Sequence, residues 1–506
     1  MALNDIIFVK GEGGLGRPLT GEDFISGLLI YTADGNLPSG FTTAARIKSF
    51  GSIADAEKAG IKGDYSDATA GTATYQVTGK ANGSTFTVVV TDPITAATTN
   101  LGTYTVVSGD STIAAVATKI AAMINTGTVT TGYSATVSTD TVSIIAPKKF
   151  GIAINTGTNI AVTVTGSGAG TLTQFSGGVA SKQAIWHYHI AEYFRLQPKG
   201  QLYVGFYAVP GSYTFTEIQT IQTFASGKIR QIGVYKDSAG FATADLTAIQ
   251  SVCFTLDGLH MPLSALYGAD LTSVSDLSTL TDLNTLSNPK VSAVISQDGG
   301  ALGVFLYKTY GKSITNLGAL LGAVSYSSVS EDIAWVQKFN ISNGTENDVV
   351  AFANGTLLTS VSNSLLNQLD NYRYIYLIKY VGIAGSYFND SHTATIVSSD
   401  YAYIENNRTI DKAIRGVYTS LLPSLNSPLV LKGDGTLQDF TVDFFTSQAG
   451  VNLTQMVRDS ELSAFDVIIN SSQNVLSTGN LTVTVKLVPI GVARQITVNI
   501  GFTLSI

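Results

Sequence analysis

Charge is what this 506-residue chain has least of: Asp, Glu, Lys and Arg together make up 13% of it, about half the usual share. The formal net charge is −7 and no dense Lys/Arg run occurs. That composition excludes nucleic acid as a main partner, because phosphate recognition needs clustered cations. A single cysteine, Cys253, excludes an intrachain disulfide and a cysteine-based zinc site. Its setting, Ser251-Val252-Cys253-Phe254-Thr255-Leu256, reads as a buried segment with an inert thiol. No apolar run reaches the ~20 residues of a membrane-spanning helix, and membrane insertion is not expected. The first residues, Met1-Ala2-Leu3-Asn4-Asp5, lack the basic and apolar regions of a secretory leader, so folding in a cytoplasm is expected. Gly-x-Ser-x-Gly, P-loop and His-Glu-x-x-His motifs are all missing. Asn-x-Ser/Thr sequons such as Asn343-Gly344-Thr345 are chance matches in a chain this rich in Asn, Ser and Thr.

What is present is Thr, Ser, Gly and apolar residues, the last at 44%. A weakly charged surface suits burial against neighbours. The two ends are strand-like without local partners. Asp5-Ile6-Ile7-Phe8-Val9-Lys10 is an apolar run followed by Gly11-Glu12-Gly13-Gly14-Leu15-Gly16. The stretch Gln495 to Ile506 alternates polar and apolar residues throughout, the mark of a strand with one buried face. Two such strands, one on a glycine-rich tether, predict arms that complete a sheet in another subunit. Ile6, Phe8, Ile496, Val498, Ile500 and Phe502 are the side chains expected to be buried there. Gly11, Gly13, Gly14 and Gly16 let the tether turn at little steric cost.

Between the ends the pattern changes twice. Residues 66–178 are dominated by Thr, Gly, Ala, Val and Ser. Thr74 to Gly79, Ser84 to Val90, Tyr133 to Val137 and Thr141 to Ile145 read as short strands. One helix follows Asp110-Ser111, either of which could cap it, with Ile113, Val116, Ala117, Ile120 and Ile124 on one face. This block is a small, mostly antiparallel module inserted into another fold. From Lys182 to Gly385, helices and strands alternate. Helices are predicted at Ile185 to Leu196, Thr216 to Phe224 and Thr243 to Leu256. Strands are predicted at Gln201 to Val209, Ile229 to Tyr235, Leu263 to Leu266 and Val291 to Ile295, with a Leu-rich helix before the last. Such alternation predicts a parallel sheet covered on both faces. Further on, Ile410, Ala413, Ile414, Val417, Tyr418, Leu421 and Leu422 recur at helical spacing from Thr409 to Leu422. Arg408, Lys412 and Arg415 fall outside that stripe. Two strand-rich stretches and a second helix, near Leu453 to Leu462, complete the chain.

Three local patterns have sharper readings. Gly11-x-Gly13-x-x-Gly16 matches a dinucleotide fingerprint, but Pro18 and Gly21 interrupt the helix that pattern needs. His187-x-His189 is half a metal site at most, since residues two apart on a helix face different ways; an aromatic cluster with Trp186, Tyr188 and Tyr193 is the simpler reading. Asp237 and Asp257 follow element ends and could be acids in a cleft, although nothing in the sequence pairs them. No catalytic, cofactor-binding or metal-binding residues are assigned.

Four stretches carry a family resemblance. Gly13-Gly14-Leu15-Gly16-Arg17-Pro18-Leu19-Thr20-Gly21-Glu22-Asp23-Phe24-Ile25-Ser26-Gly27-Leu28 resembles the start of a contractile phage tail sheath protein of the Mu-like group. Phe50-Gly51-Ser52-Ile53-Ala54-Asp55-Ala56-Glu57-Lys58-Ala59-Gly60-Ile61 is similar to the same family. So are the stretches from Ser399 to Arg415 and from Leu487 to Ile496. The resemblance implies a structural, non-enzymatic virion protein without cofactors: a sheath of stacked hexameric rings around a tail tube, shortening to drive the tube through the host envelope. Its implied partners are other copies of the chain, the tube protein, and the baseplate and tail terminator proteins. The implied location is the virion tail, assembled in the host bacterial cytoplasm. Arg408, Lys412 and Arg415 would then face acidic groups on the tube.

The expected fold is α/β, mixed α+β overall. The plan is an N-terminal arm (1–20), the start of the core domain (21–65), an inserted β-rich outer domain (66–178), a doubly wound, largely parallel core (179–398), a C-terminal α+β domain (399–493) completed by neighbours' strands, and a C-terminal arm (494–506). The competing expectation is an α/β enzyme of hydrolase or transferase type carrying a β-module.

Overall fold

A computed structural model describes residues 23–237 and 240–502. Ile6, Phe8, Gly11, Gly13, Gly14 and Gly16, and with them the N-terminal arm and the Gly-x-Gly-x-x-Gly run, lie outside the described residues.

The body is a three-layer α/β/α sandwich. Its six-stranded sheet runs in the order Val291–Val294, Ser264–Gly268, Gln231–Lys236, Ile25–Tyr31, Gln201–Tyr207, Ile47–Phe50. The first five strands are parallel, and Ile47–Phe50 pairs antiparallel at the edge. Ile25–Tyr31 is buried along its whole length. A strand covered on both faces reads as a continuous apolar run, as this one does. Its residues alternate between two cores. Leu28 and Ile30 join Trp186, Ile190, Leu317 and Leu321 from the helices Gln183–Leu196 and Leu317–Tyr326. Ile25, Leu29 and Tyr31 join Ile218, Ile221, Leu246 and Ile249 from Glu217–Phe224 and Thr243–Gly258 on the opposite face. Cys253 lies in this second core, where burial pushes its thiol up to about 12.

The first pair of helices crosses at unusually close range. A Cβ at Gly318 would lie 2.2 Å from the His189 carbonyl oxygen, and one at Gly322 would lie 2.8 Å from the Tyr193 oxygen. Only glycine permits that approach. The Leu-rich helix expected before Val291 does not form. Asp276 and Asp282 instead cap two single 3-10 turns, Leu277–Thr279 and Leu283–Thr285, through the backbone N–H groups of Ser278 and Asn284. Short polar side chains compete with helix in this way, while Leu277 and Leu283 still reach the core.

The Thr-rich block builds two antiparallel sheets of its own. One has four strands, with Thr72–Gly79 central, and the other three, with Thr85–Thr91 central. Both enclose a separate core with the helix Ile113–Thr126. The cap of that helix is Thr112, one residue later than expected. Asp110 instead accepts hydrogen bonds from Tyr104 Oη at 2.6 Å and the Val107 N–H at 2.9 Å. The two connections to the body meet at a Thr69–Val179 bridge. Beside it, Asp67 accepts from Ser181 Oγ and from the N–H groups of Lys182 and Gln183, capping the helix Gln183–Leu196.

Candidate assembly interface

The C-terminal unit consists of two helices, Ile404–Leu421 and Asp439–Arg458, a two-stranded antiparallel sheet, Leu462–Ile468 with Thr484–Pro489, and the residues beyond. The second helix was expected near Leu453 to Leu462. It starts earlier and ends at Arg458, and Ser460, at φ 59°, turns the chain into the strand. The helices cross at Gly416, where Asn452 Nδ2 donates to the Gly416 carbonyl at 2.5 Å and to Ser420 Oγ at 2.7 Å. The buried apolar core of this unit is small: Ala413, Leu453, Met456 and Leu462.

The helix Ile404–Leu421 sits the opposite way round from its apparent amphipathicity. Its polar face is inside. Arg408 is 3% exposed and donates to Ser327 Oγ at 2.7 Å and to the Ser327 and Ser328 carbonyls. Burial in that setting holds its guanidinium below the usual arginine value. Lys412 reaches Asp23 at 2.7 Å and Glu461 at 2.5 Å, and Arg415 lies 3.6 Å from Asp23. Burial opposes ionisation of Asp23, yet Lys412, Arg408 and Arg415 outweigh it and hold its carboxyl below the usual range. Asp411 pairs with the buried Lys290, which also lies 3.4 Å from Asp257. The expected outward basic stripe of Arg408, Lys412 and Arg415 is therefore corrected: these cations bind the unit to its own body. The body presents carbonyl groups and carboxylates here, so the helix turns its donors toward them; Ala413 still packs in the unit's small core, while Ile414 and Tyr418 are left exposed.

Those apolar residues line open grooves. Ile410, Ala413, Ile414, Val417 and Tyr418 face Val485, Leu487 and His260 across about 360 Å³. Ile410 and Ile414 also face Phe254, Pro262 and Pro289 across about 290 Å³. Ile414 remains 47% exposed and Tyr418 38%, although His260 stacks on the Tyr418 ring at 4.2 Å.

The sheet is equally unfinished. Among the described residues, Leu462–Ile468 and Thr484–Pro489 pair only with each other, so each has an open outer edge. The chain then runs to Phe502 with no strand of its own. Ile496, Val498, Ile500 and Phe502 are 79%, 69%, 91% and 112% exposed. The last point of attachment is Arg494. Its Nε lies 3.0 Å from Asp390 Oδ2, its Nη2 lies 3.2 Å from Asp332 Oδ2 and also bonds Glu405, and its guanidinium lies 3.5 Å over the Tyr403 ring. Burial alone would lower the Arg494 guanidinium; Asp390, Glu405 and Asp332 reverse this and raise it. Burial, with Glu405 and Asp390 adding repulsion, pushes the Asp332 carboxyl up to about 8. Sequence reasoning passed over Arg494, although it is the only charged residue between 487 and 506.

The sharper chemical readings fall to particular contacts. His187 lies 2.9 Å from Glu57. His189 is buried among Tyr188 and Tyr235, and burial lowers it to about 4. Asp237 is paired after all: it binds Lys182 and accepts from Thr32 Oγ1 at 3.1 Å. At the same carboxyl end of the sheet, Lys236 binds Asp245 at 2.5 Å and Tyr31 Oη donates to Glu217 at 2.6 Å. Among the described residues, no three His, Cys, Asp or Glu side chains cluster as metal ligands, and no helix is long and apolar enough to cross a membrane.

The chain belongs to the DUF2586 family. Residues 3–392 match the family's N-terminal domain and residues 400–506 its C-terminal domain. No curated protein is similar enough in sequence to count as a relative. Among solved structures, it is similar to the helical sheath of the anti-feeding prophage in its contracted state (13% identity, 63% of this chain and 81% of that chain, TM-score 0.45). It is also similar to the contracted PVC sheath complex of an extracellular contractile injection system (14% identity, 63% and 80%, TM-score 0.42). A third is the sheath tail protein of Desulfitobacterium hafniense (11% identity, 92% and 93%, TM-score 0.37).

Proposed function

We propose that the chain is the structural subunit of a contractile tail sheath, polymerising as stacked six-fold rings around a tail tube and shortening to drive that tube through a cell envelope. The observation that carries this reading is the unfinished C-terminal unit: a two-stranded sheet with open edges beside an alternating tail that pairs with no strand among the described residues. Open edges offer unpaired N–H and C=O groups, and an incoming strand completes them by β-augmentation. The tail Gln495 to Phe502 has the right period for that role. The exposed Ile414–Tyr418 stripe adds apolar surface for the same association. The four sheath-like stretches of sequence make a sheath the preferred assembly.

Shortening is a switch between two packings of one rigid subunit. The body suits such a part: the hydrogen bonds of Arg408 to Ser327 and the ion pairs of Lys412 with Asp23 and of Asp411 with Lys290 bind the C-terminal unit to the α/β core. The module at 66–178, mounted through Asp67 and the Thr69–Val179 bridge, decorates the outer surface. The tube, baseplate and terminator proteins are the further partners of this reading, and the tail of a phage-like particle is its location.

The competing enzyme reading requires a reactive crevice at the carboxyl ends of the parallel strands, where open α/β sheets bind ligands. There Asp237 pairs with Lys182, Lys236 with Asp245 and Tyr31 with Glu217, and such mutual pairing favours the structural role. Negative-stain microscopy of the purified chain tests the choice. Tubes or stacked rings are expected, and isolated particles at all concentrations would count against the proposal.

A further inference from the structure

Among the described residues, the C-terminal tail makes its ion pairs at Arg494, and Ile496, Val498, Ile500 and Phe502 beyond it are exposed. Arg494 sits where Asp332, Asp390 and Glu405 converge, with Tyr403 against its flat face. These acceptors come from separate parts of the chain: the turn after Ser330, the residues following Tyr387–Phe388, and the first turn of Ile404–Leu421. Their carboxylates are themselves largely buried, at 7%, 13% and 2% exposure. Three carboxyl groups converging on one point repel one another to the extent that they ionise, and a cation placed among them offsets that repulsion. The site is thus built for a guanidinium, whose fork matches carboxylates and whose plane stacks on an aromatic ring. Two residues further along, Ile496 is already 79% exposed.

We propose that Arg494 is the fixed root of the C-terminal arm, holding residue 494 on its own subunit while residues 495–502 are delivered to a second copy of this chain. The inference rests on the reading of 495–502 as a donated strand and adds where that strand is anchored. Eight residues span at most roughly 28 Å when fully extended, so a root at Arg494 places the receiving sheet edge within that radius. Anchoring also raises the effective concentration of the strand at that edge, because an arm on a loosened root samples a larger volume. Arg494 is a positioning residue here; the strand itself makes the contact between copies.

Three variants of the full chain separate the possibilities. Arg494→Gln leaves the acids without their cation. Arg494→Asp combined with Asp390→Arg restores an ion pair with its polarity reversed. Ile496→Asp/Val498→Asp/Ile500→Asp spoils the strand and leaves the root untouched. Critical concentration is read by pelleting, and amide exchange over 490–496 is read in unpolymerised protein. The expected result is loss of protection at 490–496 and a tenfold or greater rise in critical concentration for Arg494→Gln, with partial recovery in the swapped pair. The triple variant should not polymerise at all. If it polymerises normally, the donated-strand reading falls and the root with it. If the triple variant fails but Arg494→Gln polymerises like the parent, the root is overturned while the donated strand stands. If Arg494→Gln lowers the melting temperature in step with assembly and the swap recovers neither, Arg494 is only a brace of the fold and the inference is wrong.

Discussion

Single substitutions in the C-terminal tail should separate stability from assembly. Val498 and Phe502 are 69% and 112% exposed, and neither supports its own subunit. Val498→Asp should therefore leave the thermal transition of the unpolymerised chain unmoved, since exposed positions of this kind change stability by no more than about 0.5 kcal/mol. In the polymer the same side chain is taken to be buried against another copy. Losing a buried valine costs about 2 kcal/mol, before any charge of the new carboxylate on desolvation. Per subunit, that corresponds to a critical concentration raised by roughly 30-fold or more. Phe502→Ser should act alike, and the double variant should multiply the two effects if the sites are independent. The assay pairs calorimetry below the critical concentration with pelleting above it. A melting temperature lowered by several degrees would mean that the tail packs on its own body. An unchanged critical concentration would mean that it packs on nothing. Either result refutes the reasoning.

Three further outcomes test the packing. Gly318→Ala should destabilise the body by about 1–3 kcal/mol, because its Cβ would meet the His189 carbonyl oxygen at 2.2 Å; chemical denaturation reads this directly. Lys290→Met should leave the buried Asp411 carboxylate without its cation and cost about 3–5 kcal/mol, whereas Lys290→Met with Asp411→Leu should recover most of that loss. For Asp332, the folded carboxyl titrates at about 8, above its ordinary 3.8. The folded chain therefore holds a proton that the unfolded chain has released, and stability contributed by that proton is lost as pH rises from about 4 to about 8. Asp332→Asn should match the parent below about pH 4, melt progressively higher than it as pH rises from about 4 to about 8, and keep the full difference at pH 9.

Much of the α/β body was legible because its signals are local. Gln201–Tyr207 is an apolar run and the helices between strands carry their own period, so a parallel sheet followed from alternation, although its central strand Ile25–Tyr31 was not read as a strand. The Thr-rich block was legible from composition. Reading failed where polar partners, not apolar periodicity, decide the outcome. In Ile404–Leu421 the apolar stripe was real and Ala413 packs in the unit's core, but the basic side was expected to face outward, because Asp23, Lys290 and the Ser327 carbonyl lie far away in sequence. Asp276 and Asp282 turned a Leu-rich segment into two capped turns. The helix Asp439–Arg458 was under-read because its first half carries Thr, Val, Asp and Phe, which are weak helix formers held by tertiary packing. Arg494 was visible as a lone charge in a long neutral stretch, but its three acceptors could be found only in space.

The most direct test uses the chain's cysteine economy. Cys253 is buried, so an introduced pair, Val488→Cys and Ile500→Cys, supplies the only accessible thiols among the described residues. Oxidising the polymer and running it under denaturing conditions shows which chains the bridges join. If the tail completes another subunit's sheet, the product is a ladder of covalently linked chains. If the tail folds back onto its own sheet, the bridge closes within one chain and a single monomer band remains.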